Sequence, residues 1–276
     1  MVTYRDFVKA LRKLELDPAL PVVVHASLSA FGQVQGGAQT VVAALLSCFP
    51  QVLAPAFTYN TMVTPEVGPP DNAMLYGSRP DRNRMAEIFH PDLPVDRLIG
   101  AIPETLRRHP RARRSLHPIQ SFTGVGVEAA LAAQSLREPL APLRLLTEAG
   151  GYVLQLGVGH TTNTSIHLGE QQAGRRTFIR WALTPQGICE CPGFPSCSDG
   201  FDALNARTAP FTRSERLGQS YIRALPLPEL VKAARLAVEA DPQALLCAHP
   251  YCARCGAVRA SAGRGLPARA QSRPIP

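Results

Sequence analysis

The stretch YVLQLGVGHTTNTSIHLGE, residues 152–170, narrows the fold more than any other part of the sequence. Tyr152-Val153-Leu154-Gln155-Leu156 is a short apolar run of the kind that central strands use. Gly157 and Gly159 interrupt it, and a polar segment able to form a helix follows. A buried strand that leads through a glycine turn into a helix belongs to a layered α/β protein, and ligand sites form at such strand ends. With a helix starting near Asn163, positions 163, 167 and 170 share one face. His167 and Glu170 can then touch, and Asn163 sits at the positively polarised end. A histidine whose tautomer is fixed by a neighbour can take a proton at neutral pH, although a packed histidine with a satisfied hydrogen bond has the same spacing. His160, on the turn itself, reads as a loop or substrate contact.

The rest of the chain fits that architecture. Thr3 and Asp6 mark the start of a helix carrying Phe7, Leu11 and Leu14 on one face. Strands are expected at 20–24, 52–57, 121–125, 152–158 and 177–183. Helices are expected at 40–48, 98–108, 127–134, 140–148, 163–172 and 227–240. Residues 60–82, rich in Pro, Gly, Asn and Asp, read as a long functional loop. The organisation expected is a single α/β domain over 1–255, a mixed sheet flanked by helices. Its C-terminal part is cysteine-rich at 189–197 and 247–255, and a basic, disordered tail follows at 256–276.

Charge and hydropathy remove some functions. The net charge of +8 gathers in Arg107–Arg114 and in the tail, with neither aromatic interleaving nor a nucleic-acid-binding motif. A solvated face, or a site for a phosphate-rich small ligand, accounts for it. No stretch approaches the roughly 20 apolar residues of a membrane span, and the first residues lack a signal-peptide core. A cytoplasmic protein that binds neither nucleic acid nor membrane is the expectation.

Six of the seven cysteines fall in CECPGFPSC, which reads as a Pro/Gly-rich loop, and in CAHPYCARC. Cys252-x-x-Cys255 has zinc-knuckle spacing, and two thiolates from the earlier segment would complete a tetrahedron. Cys191, Cys197, Cys252 and Cys255 are the set expected, with Cys189, Cys247 and His249 as rivals. Such a site is closed and structural; free thiols and redox chemistry are the alternatives.

Two further motifs lie upstream. HASLSAFGQVQGG lets backbone amides approach an anion, but it matches neither the triphosphate nor the dinucleotide fingerprint. RRSLHPIQSFTGVG brings His117, Ser121 and Phe122 after two arginines, and no G-x-S-x-G elbow occurs anywhere. These two motifs, PAFTYN between them, and GGYVLQLGVGHTTNTSIHLGE resemble, in order and spacing, the aminoglycoside 3-N-acetyltransferases (the antibiotic N-acetyltransferase family) over about residues 4–225.

The resemblance implies that family's fold, distinct from the other large superfamily of acetyl-CoA-dependent N-acetyltransferases. It also implies acetyl-CoA as cosubstrate, held by Ser27, Leu28, Ser29, Phe31, Gly32 and Val34. Arg113 and Arg114 would meet CoA phosphates, and His117, Ser121 and Phe122 would line the pantetheine arm near the thioester. Ser121 or a backbone N–H would serve the developing oxyanion. His167 would deprotonate the 3-amino group of the 2-deoxystreptamine ring, with Glu170 orienting it, which gives antibiotic resistance. Transfer would be direct, because no cysteine falls in these motifs. Glu66, Asp71, Asn72, His160 and Asn163 are the residues expected to face the aminoglycoside or other polyamine-like substrate. The alternatives are an acyltransferase for a non-antibiotic amine and a zinc-stapled inactive homologue. The chain is expected to be a monomer or a homodimer.

Overall fold

The computed structural model describes residues 1–77 and 83–262. In chain order its strands are β1 (Val22–Ala26), β2 (Val52–Pro55), β3 (Met62–Val63), β4 (Arg113–Arg114) and β5 (Phe122–Val125). Then come β6 (Tyr152–Leu156), β7 (Phe178–Thr184), β8 (Gly187–Phe194), β9 (Arg213–Leu217) and β10 (Ser220–Pro226). The main sheet runs β4-β5-β2-β1-β6-β10-β9, and β3-β7-β8 form a second, antiparallel sheet. Only β2-β1-β6 is parallel, and the strands outside it pair antiparallel.

The central strands read as continuous apolar runs because helices cover both of their faces. Val22, Val24, Leu154 and Leu156 face one core with α1 (Tyr4–Lys13), α2 (Gly37–Cys48) and α3 (Ala101–Arg107). Val23, Leu53 and Val153 face the other. That side is closed by α4 (Glu128–Ala132), α5 (Ala141–Glu148), α6 (Ile166–Gln172) and α8 (Leu227–Ala240), with α7 (Asn205–Thr208) lying against α8. The Thr3–Asp6 capping box at α1 forms as the sequence indicates.

The helix carrying His167 starts later than its sequence suggests. His160–Thr162 is a single 3-10 turn, Asn163 is extended, and its side chain accepts from the Ser165 N–H at 3.1 Å. That local turn competes with helix formation until residue 166. Gly169 then lets α6 lie directly on α8: a Cβ there would stand 2.5 Å from the Val231 carbonyl oxygen and 2.6 Å from Ala234 Cβ.

Three segments depart from expectation. CECPGF is a strand, not a loop: β8 pairs with β7, and Pro192 is tolerated because β8 is a sheet edge. The β9–β10 hairpin at 213–226 was not evident, since β9 (RSERL) is mostly polar. A final helix, α9 (Ala253–Ala262), continues past 255 and buries Cys255 and Val258. The expected disordered tail therefore begins no earlier than 263, and residues 263–276 lie outside those described. Among the described residues no helix is long and apolar enough to cross a membrane.

Candidate active site

β1, β2 and β6 end side by side, and a groove opens beyond their carboxyl ends, where strand order reverses in an open α/β sheet. A cavity of about 360 Å³ holds His167, Thr161, Thr162, Thr164, Gln120 and Tyr59 on its wall, with Ser196, Asp199 and Arg254 opposite in sequence. A smaller space of about 70 Å³ shares Leu98, Ile99, Thr162 and Thr164 with it and reaches His25 and Ala26. The Ser27-Leu28-Ser29 turn continues from there, anchored by the Ser27 N–H on the Leu156 carbonyl at 2.9 Å.

His167 is buried on α6 and faces this cavity. Its Nδ1 lies 2.6 Å from Glu170 Oε2, and its ring packs edge-on against Phe201 with centroids 4.7 Å apart. Nδ1 is therefore occupied, and Nε2 is the nitrogen left for chemistry. Glu170 is itself held: Ser196 donates to both carboxylate oxygens at 3.1 and 3.3 Å, and Arg175 Nε stands 3.2 Å from Oε1. A carboxylate held in this way can orient the imidazole it contacts.

Among the other buried histidines, His160 and the Nδ1 of His117 are engaged in local hydrogen bonds. The Thr208 hydroxyl donates to the Leu204 carbonyl, so it accepts from His160 Nε2–H at 3.1 Å, and Gln155 Nε2 meets Nδ1 at 3.2 Å. With both ring nitrogens satisfied, His160 is buried and does not line the cavity. His117 Nδ1 accepts the N–H groups of Ile119 and Gln120 at 3.2 and 3.0 Å, which builds the ring into its own turn. Burial holds His117 down to about 4 and His25 down to about 3, the latter helped by repulsion from His160. Both rings are neutral at physiological pH.

The sequence profile of the family described as aminoglycoside 3-N-acetyltransferase matches residues 23–239. Aminoglycoside N(3)-acetyltransferase III of Salmonella sp is 32% identical over 236 residues, covering 74% of this chain and 79% of that one. The chain belongs to the aminoglycoside 3-N-acetyltransferase family. Aminoglycoside acetyltransferase AAC(3)-IVa has the same fold, with a TM-score of 0.75 at 24% identity over 94% of this chain and 98% of that one. So does AAC-IIIb, solved as a binary complex with CoASH, with a TM-score of 0.69 at 23% identity over 90% and 99% of the two chains.

Against this family's pattern, several expected residues of the acetyltransferase-family chain have other work. Phe31 and Phe122 are core residues, packed edge-on against Phe7 and Phe57. Arg114 does not reach out for phosphate: it donates to the carbonyls of Pro91, Leu93 and Ala56 and to Ser121 Oγ, pinning the 91–93 loop to the sheet. Ser121 donates to the Ala56 carbonyl at 2.8 Å, so its proton is unavailable to an oxyanion. Val34 bridges to Val2. Ser27 and Ser29 place their hydroxyls 3.2 Å apart on the accessible turn, with Leu28 half-buried between them. Gly32 has a φ of +73°, which ends that turn without strain, and Arg113 is exposed.

The acidic pocket expected from Glu66 and Asp71 does not form. Both are exposed and neither lines the cavity. Asn72 is buried as a strand mimic, exchanging hydrogen bonds with the backbone of Ile179, and Asn163 is sealed under its own turn. The carboxylate on the cavity wall is Asp199, with Gln120, whose Oε1 has no protein partner, nearby on the lining. Ser196, Asp199 and Arg254 lie outside the family-like motifs, so nothing local marked them. The thiols brought together are Cys197, Cys247, Cys252 and Cys255. Cys191 is not among them: two residues from Cys189 on one face of β8, its sulfur lies 4.0 Å from that thiol and packs with Phe178 and Ile119. His249 is likewise not among the four.

Proposed function

We propose that this chain transfers the acetyl group of acetyl-CoA to the 3-amino group of an aminoglycoside by direct attack, with His167 as general base. The observation that carries the reading is the His167–Glu170 contact at 2.6 Å on a cavity wall, in a chain of this family. The curated relatives carry the aminoglycoside N(3)-acetyltransferase name, and a structural neighbour holds CoASH. Acetyl-CoA would enter along the Ser27–Ser29 turn and the smaller space below Ala26, which puts its thioester toward His167. The amine enters from the side of Asp199 and Gln120.

An amine attacks a thioester carbonyl only through its lone pair, so it must shed one proton as the C–N bond forms. His167 Nε2 accepts that proton, and the imidazolium is stabilised by Glu170 through Nδ1–H. The C–S bond then breaks, and the proton is returned to the CoA sulfur as free thiol. General base help of this type contributes about 10²–10⁴ in rate. Holding the amine and the thioester in line contributes the larger share.

One feature supports a second reading. With Glu66 and Asp71 away from the cavity and Arg254 on its wall, the lining carries less negative charge than a polycation calls for. A less cationic amine is the acceptor in that reading. A panel of aminoglycosides and simple polyamines, assayed by the mass of the acetylated product, tests both. Turnover of an aminoglycoside with 3-N regiochemistry supports the first, turnover of other amines alone supports the second, and turnover of neither removes both.

A further inference from the structure

Cys197, Cys247, Cys252 and Cys255 place their sulfurs within 4.8 Å of one another, and three of the four residues are buried. Four thiolates on a tetrahedral ion with Zn–S bonds of about 2.3 Å stand about 3.8 Å apart, so a contraction of about 1 Å closes the site. The Asp199 N–H already points at Cys197 Sγ from 3.4 Å, as outer amides do toward a ligating thiolate. Four thiolates and one dication leave a net charge of −2, and cations surround it. Arg254 precedes Cys255, and Arg259 donates to the Cys247 carbonyl.

The quartet also touches the catalytic pair through its sequence neighbours. Ser196, beside Cys197, is the residue that donates to Glu170. Arg254, beside Cys255, donates to the carbonyls of Pro195 and Ser196 at 3.2 and 3.1 Å and lies over the Phe194 ring at 5.4 Å. The thiols thus knot the segment that carries Ser196 to the segment that carries Arg254, and both segments line the cavity.

We propose that these four thiolates hold one Zn²⁺ in a closed tetrahedral site, and that the ion is a positioning device for the base. It keeps Ser196 on Glu170 and Arg254 on the cavity wall. All four coordination positions are taken by protein, so the ion has no part in acyl transfer. The positioning role rests on the assignment of His167 and Glu170 as base and orienter.

The test uses the full-length protein, dialysed against a weak chelator and assayed by elemental analysis with thiol titration. One zinc per chain is expected, lost in Cys247→Ser and kept in Cys191→Ser. Ser196→Ala keeps the zinc, lowers kcat about tenfold, leaves the KM for acetyl-CoA unchanged and displaces the acid limb of the kcat profile. Metal-free protein shows the same change, and adding Ser196→Ala to it costs nothing further, because groups acting through one contact are not additive. Should the metal-free chain lose its circular dichroism, zinc-loaded Arg254→Ala replaces it in the same comparison. Absence of zinc, or two disulfides by mass, overturns the site. Additive losses of about a hundredfold, or an undisplaced pH profile, overturn the positioning role while the site stands. His167→Ala separates the underlying assignment: retained activity there refutes the base, and zinc content does not depend on it.

Discussion

Replacing Glu170 by Gln keeps the shape of the side chain and removes its charge, which isolates what that charge does for His167. In the folded chain Oε2 stands 2.6 Å from Nδ1, and both groups are buried. In the proposed step, where His167 takes the proton, two delocalised charges face each other at about 4 Å, worth about 4 kcal/mol at an effective dielectric constant of 20. An amide recovers the hydrogen bond and not the charge. At 1.36 kcal/mol per decade the expected fall in kcat is about 10³. The KM for acetyl-CoA should change less than about threefold, because the thioester never touches Glu170 in the proposed pose. The seven cysteines would react with a thiol reagent, so acetylated product is best counted by mass spectrometry. Arg175 also loses its carboxylate at 3.2 Å, so circular dichroism and a melting curve must accompany the kinetics. A folded Glu170→Gln enzyme whose kcat stays within threefold of the parent, or whose loss lies in KM, refutes the electrostatic role.

Acid should destabilise the protein earlier than its carboxylates explain. His25 and His117 are held at about 3 and about 4 in the folded state against an ordinary 6.5. A depressed histidine contributes stability that is complete above 6.5 and lost as pH falls toward the folded value. Lowering pH from 7 to 5 therefore costs about 2 kcal/mol for each ring. Glu104, held at about 2, acts only below its ordinary 4.5, so a urea midpoint that is flat between pH 7 and 5 contradicts the prediction. Gly169→Ala forces a methyl against the Val231 carbonyl and should cost about 2 kcal/mol while lowering kcat; an unchanged Tm would sink it. Asp199→Asn should raise the aminoglycoside KM about fivefold, the worth of an exposed charge pair. That increase should shrink in high salt, and an equal rise in the acetyl-CoA KM would place Asp199 on the wrong ligand.

The layers, and the His167–Glu170 contact among them, were legible in the sequence. The apolar runs expected as strands at 20–24 and 152–158 correspond to β1 and β6, and His167 and Glu170 stand one helical turn apart on α6. The capping box at Thr3 is a contact between near neighbours, which is why it survives intact. Readings that assigned a partner from chemistry alone fared worse. Arg114, Ser121, His160 and Asn72 have side chains suited to ligands, and the fold uses them to satisfy buried backbone or core groups instead.

What the sequence by itself determined is whatever depends on local period and spacing: the apolar strand runs, the glycine turn, the His–Glu pair, and the three-residue spacing of Cys252 and Cys255. The tertiary structure alone decided which distant groups meet. Ser196 reaches Glu170 across 26 positions, and Cys197 joins Cys247 only because β8 leaves its sheet just before it and α9 folds back beside it. Cys191 has the same chemistry as Cys197, but strand alternation turns it into a hydrophobic core. Such meetings follow from how whole elements pack, and no short window of sequence contains that information.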